Sequence, residues 1–555
     1  MLLAQVTSDS VTFLRQRAQI AGRAHRGQLS SGTQVTTPQM THGSLVVQTA
    51  RRHLTWRSST LSRACSHVST VPHELQQYEQ AVPSSAPKPY SEVPGPRPLP
   101  LIGNTWRLLP VIGQYTVSDL AKVSQLLLDR YGKIVKMAGL VGRPDLLFVF
   151  DADEIERVYR QEGPTPFRPS MPCLVKYKSD VRKDFFGRLP GVVGVHGEPW
   201  REFRTRVQKP ILQPRTVKMY IRPIEQVTED FIDRMLTILD EKQELPADFD
   251  NEIHKWSLEC IGRVALDTRL GCLDASKEYE EGNSEPQKII DAAKFALRNV
   301  AILELKMPFW RYIPTPLWSR YVRNMDFFIE ICMRHIDAAM ERLKSKDLTD
   351  HTAELSLVER ILASEPDPKT AYVLALDMIL VGIDTVKRAL PSPDTPLTAE
   401  ILEKMPYQRA FIKEVFRKYS TVIGNGRTLM SDAVICGYHI PKGVQLVFPT
   451  IVTGNMEEYV SDAASFKPER WLKQYNRCPA TQESRLHAFA SLPYGHGARM
   501  CLGRRFADLE IQVLLAKLIR SYKLEFHHDP LDYEVTFMYA PKGELRFKMT
   551  RRPLQ

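Results

Sequence analysis

Apolar residues recur every three or four positions along most of the chain from about residue 114 onward. This spacing predicts amphipathic helices, because it places the apolar side chains on one helix face. The clearest such segments are 225–239, 256–265, 286–303 and 325–343. Short strand-like segments are 133–137, 146–149 and 434–440. Since no repeat recurs at the periods typical of solenoids, the pattern predicts a mainly α fold with a small β portion, built as a single helix-rich domain.

The segment 371–383 is apolar nearly all round, which predicts a buried helix. Asp384 and Thr385 follow it directly. An acid beside a hydroxyl needs a reason in such a place, because burying an unpaired charge is costly. A cap or core hydrogen bond is one reason and a chemical role is another. The helical pattern stops beyond Thr385, where residues 386–390 lead into Pro391 and proline ends helices.

The net charge of +11 suggests a nucleic-acid partner unless the charge is localised. Residues 1–70 contain eight arginines, no lysine and a single acid, Asp9, so most of the excess positive charge lies in this leader. An Arg-rich, Ser/Thr-rich and acid-poor leader is typical of a mitochondrial transit peptide. A disordered tail without targeting function is the alternative. We therefore predict no nucleic-acid partner.

Residues 71–92 are polar and contain prolines, which predicts a linker. Alternate prolines in 93–104 fix φ and oppose helix formation, so we expect a stiff, extended entry to a folded domain at 93–551. The chain contains no uninterrupted run of about 18 apolar residues, and no membrane-spanning helix is predicted. The eight cysteines show no paired spacing, which argues against a disulfide framework or a zinc ribbon.

The segment 493–505 surrounds Cys501 with glycines and an arginine, in the spacing Gly-x-Gly-x-Arg-x-Cys-x-Gly. A lone cysteine is most often a small buried hydrophobe. Here, however, the glycines let the backbone approach a flat cofactor, Arg499 can neutralise an acidic group, and a thiolate can hold a haem iron. The spacing resembles the haem-binding signature of the cytochrome P-450 family. Arg504 and Arg505, which follow the signature, resemble the mitochondrial branch of that family. The chain as a whole resembles an arthropod-like member of this branch.

The resemblance implies haem b as the cofactor, with Cys501 as the ligand of its iron. Trp200 and Arg204 lie one helical turn apart and match the pair that bonds the haem propionates in the family. Arg427 matches a further propionate partner, and Arg499 lies within the signature itself. All five residues are therefore expected to bind the cofactor.

Two further motifs match the family. Glu414 and Arg417 are three residues apart, and Arg470 lies in a segment that matches the family's second arginine motif. The resemblance implies that they form a buried triad that fixes the segment leading to the cysteine. The residues around Asp384 and Thr385 resemble the oxygen-activation motif, which makes this pair the catalytic residues, with a role in proton delivery.

The sequence departs from the family directly after this motif. By family proportions roughly thirty residues are missing, and we place an apparent internal deletion near 386–390. The alternative to an active enzyme is therefore a catalytically impaired haem- or ligand-binding variant, caused by the truncated oxygen-activation helix.

By resemblance, the function is that of a mitochondrial haem-thiolate monooxygenase, which hydroxylates a lipophilic, steroid-like or other substrate with O2. Its electrons would come from an adrenodoxin-like ferredoxin that docks at Lys413 and Arg505 and is reduced by an NADPH-dependent ferredoxin reductase. It would lie on the matrix side of the inner mitochondrial membrane as a peripheral protein. The aromatic stretch 309–318 would contact the membrane surface or, alternatively, pack in the core.

Overall fold

The computed structural model describes residues 86–553 except for 110, 118, 170, 188, 275–283, 306, 345–354, 366, 383–396, 473–485, 530–531 and 536–537. Asp384, Thr385 and the apparent deletion near 386–390 lie outside the described residues, as does the leader 1–70. The described residues from Lys88 onward belong to one compact unit.

Helices form most of this unit, as the periodicity predicts. In chain order they are α1 (Leu120–Tyr131), α2 (Ala152–Gln161), α3 (Pro172–Lys176), α4 (Lys183–Phe186), α5 (Gly197–Leu212), α6 (Pro214–Met219), α7 (Ile221–Thr237), α8 (Phe249–Ala265), α9 (Glu285–Leu305), α10 (Pro316–Lys344), α11 (Leu357–Ser364), α12 (Lys369–Gly382), α13 (Ala399–Glu403), α14 (Pro406–Lys418), α15 (Thr450–Thr453) and α16 (Arg504–Ser521). The four predicted amphipathic helices correspond to α7, α8, α9 and α10, and the mainly α class is confirmed.

The β portion is small and consists of short strands. In chain order they are β1 (Ile134–Met137), β2 (Leu146–Val149), β3 (Asn425–Thr428), β4 (Ala433–Ile435), β5 (Tyr438–Ile440), β6 (Gln445–Phe448), β7 (Tyr522–Glu525), β8 (Asp532–Val535), β9 (Tyr539–Lys542) and β10 (Lys548–Arg551). The largest described sheet has the order β1-β2-β6-β3, in which β2 and β6 are parallel and the other pairs are antiparallel. The remaining strands form the pairs β4–β5, β7–β10 and β8–β9.

Local sequence explains several of these elements. Asp151 caps α2 by accepting from the amides of Asp153 and Glu154, and Ser356 with Glu359 forms a capping box at α11. The helix α12 is apolar on nearly all sides apart from Asp377, and this allows it to pack against both α8 and α10 in the main hydrophobic core. The helix predicted for 371–383 is confirmed as far as Gly382, and most of its side chains are buried as far as Leu380.

Two predicted segments differ from the structure. The single strand-like segment 434–440 is a hairpin, because Cys436 and Gly437 both have positive φ and form a tight turn between β4 and β5. The residues just before Val93, assigned to the linker, pack on the folded unit: the Lys88 amide donates to the Gly437 carbonyl at 2.9 Å. The folded unit therefore begins before Val93.

Eight of the exposed large apolar side chains fall in two groups, in segments that reach the turn at 139–142. The first group is Leu99, Leu101, Ile102, Val111 and Ile112, and the second is Phe309, Tyr312 and Ile313. Gly103 lies against Gly139, and Gly142 lies against Pro308, so this turn touches both segments. Trp310 and Trp318, by contrast, are buried. Within the part of the chain that the structure describes, no helix combines the length and apolar character needed to span a bilayer.

Glu510, in the middle of α16, is a buried carboxyl with no hydrogen bond to any described residue. Burial raises its pKa from 4.5 to about 8. The folded state therefore binds this proton more tightly than the unfolded state, so the free energy of unfolding falls as pH rises from 4.5 to about 8.

We predict that Glu510→Gln removes this part of the pH dependence, which amounts to about 1.4 kcal/mol per pH unit. Urea unfolding of the wild type and the variant at pH 6 and pH 8 measures it, and the variant gains stability relative to wild type as pH rises. Glu341→Gln, which changes an exposed carboxylate on α10, leaves the slope as in the wild type. Parallel pH profiles for Glu510→Gln and the wild type would refute the prediction.

Candidate active site

Three buried charged side chains anchor the chain ahead of the cysteine segment. Glu414 and Arg417 lie one turn apart on α14, and Arg470 comes from the short helix Pro468–Trp471. Arg417 donates to the Glu414 carboxylate through Nη2 at 2.8 Å and Nε at 2.9 Å, and Arg470 Nε donates to it at 3.1 Å. The structure thus brings together the three side chains that the sequence analysis groups as a triad.

Further hydrogen bonds join the Glu414 carboxylate to the segment that carries Arg470. The Lys467 amide and the Trp471 indole both donate to it at 2.9 Å. Burial alone would raise the pKa of Glu414, but the hydrogen bonds and positive charges around the carboxylate outweigh burial and hold this pKa below its usual range. Arg417 in turn donates to the Gly454 carbonyl at 2.8 Å. A buried ion network persists when each partner is satisfied in this way.

The segment that carries Cys501 is a tight loop that leads into α16. The Cys501 amide donates to the Tyr494 carbonyl at 2.9 Å. Gly495 and Gly497 have φ of 72° and 73°, which residues with a side chain rarely adopt. A Cβ at Gly497 would also lie 2.4 Å from a carboxylate oxygen of Glu162. Both positions therefore require glycine.

Cys501 is exposed, although protein atoms surround it closely. Burial raises the pKa of its thiol, while the Gly503 amide and the guanidiniums of Arg168 and Arg204 act in the opposite direction. A group that is accessible and yet surrounded lies in a concavity. Gly503 has an ordinary φ of −80°, and a Cβ there would meet no atom within 4 Å, so it borders open space rather than forming a strained turn.

Arg499 lies two residues before Cys501 and is buried among main-chain acceptors. Its Nε donates to the Pro166 carbonyl at 2.9 Å, and its Nη2 donates to the Val195 carbonyl at 2.8 Å. The guanidinium stacks on Trp200, 3.7 Å from the ring centroid. Burial and neighbouring arginines lower the pKa of Arg499 to about 9. Positive charge is therefore concentrated at this point.

The two other arginines predicted to bind the cofactor, Arg427 on β3 and Arg204 on α5, also lie at the cysteine segment. Arg427 Nε donates to Glu162 at 2.5 Å, and its Nη2 donates to the His496 carbonyl at 3.3 Å. Arg204 Nη2 donates to the Met500 carbonyl at 2.9 Å, next to Cys501 in the chain. Burial lowers the pKa of Arg204.

Arg168 joins this group, although the sequence analysis did not identify it. Burial and the charge of Arg427 lower its pKa, and it interacts electrostatically with Cys501. It forms no hydrogen bond or ion pair with any residue that the structure describes. Its sequence signal is weak, an arginine between Phe167 and Pro169 in a loop without periodicity. The tertiary fold alone brings it to the site.

The group of Arg168, Arg204, Arg427 and Arg499, named here the arginine quartet, carries more positive charge than the nearby carboxylate of Glu162 can neutralise. An anion with more than one negative charge would balance it. Haem b has two carboxylates, a flat apolar ring and an iron that accepts a thiolate. The quartet, the accessible thiol of Cys501 and the open space beside Gly503 fit this group.

Lys413 and Arg505, predicted to dock a redox partner, lie on α14 and at the start of α16. Lys413 is exposed and acts electrostatically on Asp508. Arg505 lines an open groove of about 220 Å³ together with Asp508, so the two cations lie near the same carboxyl. Neither cation forms an ion pair with a residue of the described ranges. The groove also contains the cations Lys218 and Arg409.

Asp153, Glu156 and His487 place potential metal ligands within 4.8 Å of one another. His487 Nδ1 accepts from the Phe489 amide at 3.2 Å, which leaves the imidazole proton on Nε2. Nε2 therefore donates to Asp153 at 3.2 Å. This trio is a hydrogen-bonded surface cluster rather than a metal site.

Comparison with known proteins agrees with this geometry. A family model described as "Cytochrome P450" matches residues 93–392 and 384–545. A Drosophila melanogaster protein described as "Probable cytochrome P450 301a1, mitochondrial" is 62% identical over an alignment of 535 positions, which covers 90% of this chain and 94% of that protein. The Drosophila melanogaster "Probable cytochrome P450 49a1" is 45% identical, with 87% of this chain and 86% of that protein covered.

Among solved structures, "Retinoic acid bound cyanobacterial CYP120A1" is similar with a TM-score of 0.60 and 21% identity, covering 84% of this chain and 100% of that chain. This likeness establishes the fold. The family model spans most of the chain in two segments, and the sequence relatives extend over nearly its whole length. The chain therefore belongs to the cytochrome P450 family and is a monooxygenase with haem b as its cofactor.

Proposed function

We propose that the chain hydroxylates a lipophilic substrate in mitochondria, using O2 and electrons from an adrenodoxin-like ferredoxin that an NADPH-dependent reductase reduces. The observation that carries the proposal is the arginine quartet beside the accessible thiol of Cys501. A thiolate donates electron density to haem iron and favours cleavage of the O–O bond, so the site is suited to oxygenation.

Each residue of the site has a distinct role in this proposal. Cys501 would hold the haem iron through its thiolate. Trp200 and the arginine quartet would hold the propionates and so orient the cofactor. When bound, the haem supplies the redox chemistry of oxygen activation. Asp384 and Thr385, which follow α12 in the sequence, would supply protons for this chemistry, and the apolar residues of α12 would keep bulk water away and favour a lipophilic substrate.

Electron delivery is proposed to use Lys413 and Arg505. Neither cation forms an ion pair with a described residue, although Asp508 lies nearby. Arg409 adds a third cation to the groove, whereas Lys218 is paired with Glu403 at 3.3 Å. An acidic electron carrier is steered to such a surface by its charge. The proposed docking surface is close to the triad: Lys413 lies over the ring of Trp471, and the Trp471 indole donates to Glu414.

We predict that the double variant Lys413→Gln/Arg505→Gln lowers the rate of reduction by ferredoxin about tenfold at low salt. The reason is the loss of electrostatic steering, so the salt dependence of the rate also weakens. Stopped-flow reduction of the holoprotein at two ionic strengths measures both effects.

Lys122→Gln/Lys344→Gln is the control for this variant, since it removes two exposed lysines, on α1 and α10. It leaves the reduction rate unchanged. Equal rates for the two double variants would contradict docking at Lys413 and Arg505.

The proposed compartment rests on the leader and on relatives. Residues 1–70 have the composition of a transit peptide, and the most similar relative described above is named as mitochondrial. Peripheral attachment to the matrix side of the inner membrane is supported by the exposed apolar groups near 139–142, which would lie in a membrane interface. Import of the full chain into isolated mitochondria, followed by carbonate extraction, tests both points. A chain that is neither processed nor membrane-associated refutes them.

The decisive experiment combines a carbon-monoxide difference spectrum with turnover in the presence of ferredoxin, reductase, NADPH and a panel of lipophilic compounds. A thiolate-type spectrum with a hydroxylated product supports the proposal. A thiolate-type spectrum without any product across the panel points instead to the second candidate.

That second candidate is a catalytically impaired haem- or ligand-binding variant. One observation favours it: the family match is broken into two segments that meet at 384–392, where the helical pattern stops. The alignment with the 62% identical relative also spans 535 positions although it covers only 90% of a 555-residue chain, so that relative has positions without a counterpart here. Cys501 and the arginine quartet lie outside the affected stretch, so haem binding would survive the loss.

A further inference from the structure

A buried ion pair joins α12 to the chain that precedes α5. Lys178 Nζ lies 2.8 Å from Asp377 Oδ1, and the two side chains are 3% and 2% exposed. Asp377 is in the middle of α12, and Lys178 belongs to the helical turn Tyr177–Val181. Such a pair is tolerated inside a protein only when the remaining donors and acceptors are also satisfied.

The segment 190–195 satisfies them. Lys178 Nζ donates to the carbonyls of Pro190 at 2.8 Å and Val193 at 3.0 Å. The second carboxylate oxygen of Asp377 accepts from the amides of Val192 at 2.8 Å and Val193 at 3.1 Å. The segment therefore folds around the pair, and its main chain is bonded to both charges.

Gly191 shows how closely the segment fits the pair. Its φ is 90°, and a Cβ at this position would lie 2.4 Å from Asp377 Oδ2 and 3.0 Å from Lys178 Nζ. A side chain would therefore push the segment away from both charged groups.

The same segment ends at the candidate active site. The Val195 carbonyl, two residues beyond Val193, accepts from Arg499 Nη2 at 2.8 Å. Arg499 stacks on Trp200 and lies two residues before Cys501. A continuous set of bonds thus runs from Asp377 on α12 through the segment 190–195 to Arg499.

We infer that Lys178 and Asp377 are positioning residues for the monooxygenase reaction: the pair holds the segment 190–195 against α12, and the segment in turn orients Arg499 beside Cys501. The inference rests on the cofactor-binding role proposed above for Arg499. Neither residue of the pair contacts Cys501 or the arginine quartet, so both act through the main chain of the segment.

The test uses the full-length holoprotein with Lys178→Met and Asp377→Asn combined. This double variant removes both charges together and leaves no buried charge unpaired, while the asparagine can still accept from an amide. We expect the amides of Val192 and Val193 to exchange hydrogen about tenfold faster than in the wild type. We also expect about tenfold faster loss of haem to apomyoglobin, and a lower haem reduction potential, because Arg499 no longer holds its positive charge in place.

Arg234→Met/Glu252→Gln is the matched control, because it removes another buried ion pair, between α7 and α8. It lowers stability but leaves amide exchange at 190–195, haem loss and the potential as in the wild type. Gly191→Ala is a second variant, which keeps both charges and displaces the segment by its Cβ. We expect it to reproduce the effects of the Lys178/Asp377 double variant, so the test can be completed with either variant if the other fails to fold.

Two results would overturn the inference. One is unchanged exchange at Val192 and Val193. The other is faster exchange with haem loss and potential equal to those of the control, which would make the pair a structural brace alone. The exchange measurement needs neither haem nor turnover, so a wild-type chain that takes up no haem is recognised separately, as a failure of the proposed function.

Discussion

Replacing Cys501 by alanine is expected to abolish thiolate-ligated haem and, with it, all monooxygenase activity. The thiol lies in a concavity between the arginine quartet and the start of α16. The other described cysteines, 173, 260, 272, 332 and 436, are buried or half-buried, and burial raises the pKa of Cys173 and Cys436 to about 12. Among the described cysteines Cys501 is the exposed one, so we expect none of the others to replace it as a ligand.

The carbon-monoxide difference spectrum of the reduced protein measures this effect. In Cys501→Ala the thiolate band is absent, although the quartet can still retain some haem with altered ligation. Cys436→Ala is the matched control, since Cys436 is a half-buried cysteine in the β4–β5 turn, and its spectrum is that of the wild type. A thiolate spectrum that persists in Cys501→Ala would show that another residue holds the iron.

The second large effect is expected from Glu414→Gln. This change leaves the shape of the side chain but removes the charge that Arg417 and Arg470 share, so two buried guanidiniums lose their counter-charge. Breaking a buried charge network in this way costs about 3–5 kcal/mol, a large share of the stability of a typical domain. We therefore expect poor haem incorporation and a lower urea midpoint.

The pH dependence gives this prediction a sign. The pKa of Glu414 is held below its usual range, so its contribution to stability is present above the unfolded pKa and is lost as pH falls through the folded pKa. As pH falls, the stability of the wild type therefore decreases toward that of Glu414→Gln, and the urea midpoints of the two proteins converge. Glu469→Gln, on the same short helix as Arg470, is the control and changes stability by less than about 0.5 kcal/mol. Equal urea midpoints for Glu414→Gln and wild type at pH 7 would rule out the contribution to stability that we assign to the triad.

Local sequence was sufficient for much of the fold. Three- and four-residue periodicity identified α7 to α10 because each of these helices has a distinct apolar face against the core. The hairpin β4–β5 was missed because its turn depends on a positive φ at Cys436, and cysteine is not a residue that indicates such a turn in a sequence. Gly437 alone was compatible with a bulge or a turn.

The residues of the candidate active site also differ in how well local sequence predicts them. Glu414 and Arg417, or Trp200 and Arg204, are one helical turn apart, so their proximity follows from sequence spacing. Arg168 could not be found in this way, because a loop without periodicity brings it to residues far along the chain. Glu162 likewise acquires its role from Arg427, 265 residues away in sequence.

The arginine quartet also has a consequence for the life of the protein in the cell. Like charges held together in a buried region repel one another until an anionic ligand neutralises them. A ligand that binds only the folded state shifts the folding equilibrium by mass action. The supply of haem would then govern how much of the chain escapes proteolysis, and cellular abundance would follow cofactor synthesis as well as transcription.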